Sequence, residues 1–69
     1  MVEVFKTNIQ ERNQAVLLFE KLRQQFPLLK ISFDLDDCDR ILRVEGEGFS
    51  NERIIKLITI NGYQCQILE

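Results

Sequence analysis

The sequence contains no histidine and no tryptophan, and its two cysteines, Cys38 and Cys65, stand far apart with no CxxC pair. Without histidine the commonest general base is missing, so Ser-His and Cys-His nucleophilic mechanisms cannot be assembled. The usual structural zinc spacings are missing for the same reason, and any catalysis would rest on carboxylates or arginine. The longest uninterrupted apolar run, Ala15 to Phe19, is five residues, against the roughly 20 needed to cross a bilayer, so no membrane span is expected. The stretch Met1-Val2-Glu3-Val4-Phe5-Lys6 has no basic region followed by a long apolar segment, does not read as a secretion signal, and leaves a cytoplasmic location as the expectation. Nine basic residues against eleven acidic ones give a net charge of -2. That is the wrong sign for a phosphate-backbone footprint, so nucleic acid is not an expected partner.

What is present fits one small globular domain spanning residues 1–69. The chain is 45% hydrophobic and 29% charged, which is enough apolar surface for a dense core but leaves little room for a deep cleft. Val2 and Val4 alternate with Glu3 in a first strand, Met1 to Lys6. Asn8 followed by Glu11 has capping-box spacing, which predicts a helix starting near Ile9. Ala15, Leu18, Phe19, Leu22 and Phe26 recur at steps of three and four and form its core stripe, and Pro27 ends it. Leu29, Ile31, Phe33 and Leu35 alternate with polar residues in a second strand. A polar turn through Asp36, Asp37, Cys38 and Asp39 leads to a third strand over Arg40 to Glu45, with Leu42 and Val44 on one face. After Gly46-Glu47-Gly48, Ser50 is placed to cap a second helix over about Asn51 to Asn61, with Phe49 positioned to staple onto Ile54. Gly62 fits a left-handed C-terminal cap, and Tyr63, Cys65 and Ile67 alternate in a last strand.

The order β, α, β, β, α, β is a split βαβ pattern. It predicts an α+β, two-layer ferredoxin-like sandwich with one antiparallel sheet in spatial order 4-1-3-2 and both helices on one face. That arrangement gathers Thr7 to Glu11, Asp36 to Asp39 and Gly62-Tyr63 at one end, where a site is to be sought. The open sheet face is expected to show Glu3, Phe5, Lys30, Ile41, Arg43, Gln64 and Gln66. Phe5 and Ile41 would then form a small apolar patch able to seed a homodimer. RNA recognition on this face would need several stacking aromatics with basic neighbours, and only Phe5 qualifies.

Two local stretches carry a resemblance. Phe26-Pro27-Leu28-Leu29 resembles the Leu-Pro-Gly-Val transition into the second strand of the heavy-metal-associated domain family, the small copper-chaperone-like modules. Ser50-Asn51-Glu52-Arg53-Ile54-Ile55 through Asn61-Gly62-Tyr63 resembles that family's last helix, which ends in Ala-Gly-Tyr. Family members hold a soft ion on a Gly-Met-x-Cys-x-x-Cys loop after the first strand. Here the corresponding stretch runs Thr7-Asn8-Ile9-Gln10-Glu11-Arg12-Asn13-Gln14-Ala15, with Ile9 where the Met packs and no thiol. The resemblance therefore implies the fold and a binding or delivery habit, with the metal-binding thiol pair lost and no metal residue or cofactor to carry over.

Several features have both a functional and a plain structural reading. Asp34, Asp36, Asp37 and Asp39 around Cys38 suggest a hard-cation loop, but Cys38 and Asp39 occupy positions where an EF-hand needs an oxygen ligand and a glycine. The same residues could form an acidic contact surface. Cys38, at the turn tip, could supply one ligand to a soft metal shared across a dimer interface, while Cys65 reads as a small buried hydrophobe. The two lie on opposite sides of the expected sheet, too far apart for a disulfide. Gly46-Glu47-Gly48 lacks the lysine of a phosphate loop. Asn8 and Arg12 resemble the Asn and Arg used by acylphosphatases, which share this fold and would make the chain a small phosphate-directed enzyme. The reading adopted is a non-catalytic binding module without a cofactor. Its partner is expected to be another protein, met through the end formed by Asn8, Asp37, Cys38 and Tyr63 or through the open sheet face.

Overall fold

A computed structural model describes residues 1–69. Its elements are β1 (Val2–Thr7), α1 (Arg12–Gln25), β2 (Lys30–Asp34), β3 (Ile41–Glu45), α2 (Asn51–Ile60) and β4 (Cys65–Ile67). The sheet order is β2-β3-β1-β4 with every pairing antiparallel. This is the expected ferredoxin-like sandwich, with α1 packed over β2 and α2 over β4. No helix is long and apolar enough to cross a membrane.

One core joins the layers. Phe5 lies opposite Leu42, which in turn faces Phe33, so three adjacent strands, β1, β3 and β2, place a hydrophobe side by side in one row. Leu18 and Leu22 from α1 and Ile54 and Ile58 from α2 close over that row, each essentially solvent-free. Burying side chains of this size contributes about 1.5–3 kcal/mol apiece, the main offset to the chain entropy lost on folding. Phe49 and Ile54 both join the core as the staple reading expects. Gly62 has φ +93°, and the Gly62 and Tyr63 amides donate to the carbonyls of Thr59 and Ile58. This is the bond pattern of a Schellman ending, and it fixes where the chain turns toward β4.

Three expectations are corrected. The phase of β1 is opposite to the one read from Val2 and Val4: Phe5 and Thr7 point to the helices, and Val2 and Lys6 are exposed on the other side. Phe5 is fully buried, so the Phe5–Ile41 patch does not exist; Ile41 stays on the open face opposite Lys6 and Asp34. Glu3 also turns to the helix side, where its carboxylate accepts a hydrogen bond from Asn51 Nδ2 at 3.0 Å. Helix α1 starts at Arg12 rather than near Ile9, because Gln14 Oε1 takes the amides of Gln10 and Glu11, each at 3.2 Å. Ser50 occupies the cap position of α2, but its hydroxyl makes no capping bond.

Candidate functional site

The three loops expected to converge do so, and two residues join the first to the second. Thr7 ends β1, and its amide donates to the carbonyls of Asp39 at 3.1 Å and Arg40 at 3.2 Å. Its hydroxyl donates to Arg40 O at 2.6 Å and accepts from the Ile9 amide at 3.3 Å. Arg40 has φ +49°, in the left-handed region. That conformation turns its guanidinium back over the loop, where Nη1 donates to Leu35 O at 3.0 Å and makes a longer contact with Gln10 O at 3.5 Å. Neither Thr7 nor Arg40 stood out in the sequence. A threonine in phase with Phe5 and Ile9 was the available signal for the first, and nothing local announces the left-handed arginine.

Asn8 ties in the third loop: its Oδ1 accepts from the Gln64 amide at 2.8 Å. The expected cap residue therefore serves as a strut between β1 and the approach to β4. Asp37 folds the turn on itself, accepting from the Asp39 amide at 2.8 Å, while its carbonyl takes the Arg40 amide at 3.0 Å. Asn8, Asp37 and Cys38 are exposed, and Tyr63 is partly buried against the core. The first three are thus accessible polar groups at this end, whereas Tyr63 packs against the core.

Cys38 Sγ and carboxylate oxygens of Asp37 and Asp39 all lie within 4.8 Å of one another. The carboxylates have other work, since Asp37 closes the turn and Asp39 lies 3.7 Å from Lys6 Nζ. Cys65 sits opposite Thr7 at this same end, and both cysteines are free. Burial pushes the Cys65 thiol from its ordinary 9.0 up to about 12, because desolvation penalises the thiolate. It is accordingly a packed thiol and not a ready ligand.

Beside the loops, an open cleft of about 430 Å³ runs between the start of α1 and the end of β2. Phe19, Phe33 and Leu35 form its floor, and Arg12 and Arg40 stand on its rim with Asp34 and Asp36. Arg12 lines this cleft while Asn8 is turned toward β4, so the two residues of the phosphate-directed reading do not share a pocket. No known family, curated protein or solved structure matches the chain.

Proposed function

We propose that this chain is a small non-catalytic binding module that meets another protein through its loop-bearing end, with Asn8, Asp37 and Cys38 in contact. The observation that supports this most is the bracing of that end. Thr7 and Arg40 lock the first loop to the second, and Asn8 locks it to the third, so an exposed acidic surface is held in one shape before any partner arrives. Preorganisation of this kind removes the ordering cost that weakens loop-mediated contacts. The resemblance of two short stretches to heavy-metal-associated domains points the same way, since it implies this fold and a binding or delivery habit with the thiol pair lost.

The test uses Cys38 as the attachment point for a photocrosslinker, the half-buried Cys65 thiol being the slower to react. A discrete adduct from cell extract is expected, and it should disappear when Asp37→Lys reverses the surface charge. A probe moved to the open sheet face, on Ser32→Cys in a Cys38→Ser background, should not yield that adduct. The same adduct from both positions would refute the assignment of the contact end.

The exposed, free Cys38 thiol at the turn tip supports a second reading, an atypical soft-metal carrier that uses Cys38 at a dimer interface, with a second chain supplying the other soft ligand. Titration of the reduced protein with Cu(I) and Zn²⁺ should then give saturable amide shifts around Cys38 that Cys38→Ser abolishes; unmoved amides would end that reading.

A further inference from the structure

On the outer surface of the helix layer, two adjoining depressions of about 290 and 280 Å³ share Leu57 and Ile60. Phe26 joins them in the lining; Leu57 belongs to the core and is only 9% exposed, whereas Ile60 is 73% exposed and presents the apolar surface. The rim carries Lys21 from α1 and Arg53 and Lys56 from α2, and neither depression is lined by a carboxylate. On α2 the residues Arg53, Lys56, Leu57 and Ile60 follow the spacing of a single helix face, so cations and apolar floor belong to one stripe. The Arg53 guanidinium lies 5.6 Å from the centre of the Phe26 ring, which holds that charge at the groove.

None of these cations is in an ion pair, as holds for every lysine and arginine of the chain except Lys6. The two ion pairs, the Met1 amino group with Glu47 and Lys6 with Asp39, lie elsewhere. Glu52 stands one turn before Lys56, yet it neither pairs with it nor lines the groove. This face gathers three unpaired cations around exposed apolar surface, in a chain whose remaining residues carry more carboxylates than cations.

We propose that this groove between α1 and α2 docks an acidic amphipathic peptide segment of another protein. An aliphatic or aromatic anchor lies on Ile60 beside Phe26, and flanking carboxylates meet Lys21, Arg53 and Lys56. The anchor supplies the buried contact, and the cations set orientation and encounter rate. The groove shares no residue with the loop end, so it stands whether or not the reading of that end holds.

The experiment follows backbone amides of the isotope-labelled protein during titration with three probes. The first is a short acetylated peptide carrying a Leu/Phe stripe flanked by glutamates, the second is the same stripe flanked by lysines, and the third is vesicles of phosphatidylglycerol. Saturable shifts at Lys21, Leu57 and Ile60 are expected with the glutamate peptide, weakening as salt is raised. The doubly exposed pair Lys21→Glu with Lys56→Glu should loosen that peptide about tenfold or more while leaving the remaining amide spectrum in place. Ile60→Ser, at another exposed position, should weaken it independently. Absence of saturable shifts with the glutamate peptide, equal binding of the lysine peptide, unchanged affinity in the variants, or response to vesicles alone would each overturn the proposal.

Discussion

The hydroxyl of Thr7 donates to the carbonyl of Arg40 at 2.6 Å across 33 positions of sequence, and the same oxygen accepts the Ile9 amide. One buried side chain thereby satisfies a donor and an acceptor on two different loops. Thr7→Val keeps the shape and removes both bonds, leaving the Ile9 amide buried without that partner. The expected cost is about 1–3 kcal/mol in urea unfolding with the slope unchanged. Thr7→Ser should recover most of it. If valine is as stable as threonine, the hydroxyl does not brace the loops.

Arg40 combines two opposing terms. Its left-handed backbone is costly for any residue with a Cβ, by about 1 kcal/mol or more, while its guanidinium secures Leu35 O. Arg40→Ala keeps the strain and loses the bond; Arg40→Gly loses the bond and relieves the strain. Glycine is therefore expected to be more stable than alanine by roughly 0.5–1 kcal/mol in thermal or urea unfolding. The opposite order would mean that the turn relaxes to another conformation once the side chain is gone.

Cys65 makes stability depend on alkaline pH. Its folded pKa of about 12 lies above the ordinary 9.0, so the folded state keeps a proton that the unfolded chain releases. The contribution is complete below about 9 and is lost as pH rises toward 12. Urea midpoints measured upward from pH 8 should fall more steeply for the parent than for Cys65→Ala, whose baseline is lower. Alkylation at pH 8 should modify exposed Cys38 first, with Cys65 reacting on the timescale of opening. Equal rates at the two thiols would contradict the burial.

The sequence and the structure agree wherever periodicity had a single solution. The alternation from Leu29 to Leu35 and the α1 stripe each leave one face to bury, and topology follows from their order. In β1 both parities offer hydrophobes, Val2 and Val4 on one and Phe5 on the other, so composition alone does not choose. The choice comes from register: Phe5 lies beside the buried Leu42, whereas Val4, of the same parity as Val2, lies beside the exposed Arg43. The candidate end was legible because strand order dictates which loops meet. Its fasteners were not, since the Thr7 hydroxyl acquires meaning only from Arg40, 33 positions away, and the left-handed conformation of Arg40 has no local sequence signal.

Glu3 shows what the reversed phase of β1 requires. Its carboxylate faces the first turn of α2, accepting from Asn51 Nδ2, while Asn51 Oδ1 is buried with no partner. The anion is favoured there by the helix N-terminus, an effect of about 0.3–1 kcal/mol. Glu3→Gln surrenders that term, but its amide can both accept from Asn51 Nδ2 and donate to the orphaned Oδ1, a bond worth about 0.5–1.5 kcal/mol. Glutamine is therefore expected to equal or exceed the parent in stability. Glu3→Ala, which leaves both amide groups of Asn51 without a partner from β1, should lose about 1–2 kcal/mol. Urea unfolding of the two variants separates hydrogen bonding from charge: glutamine as damaging as alanine would show that the carboxylate's charge, rather than its hydrogen bond, joins β1 to α2.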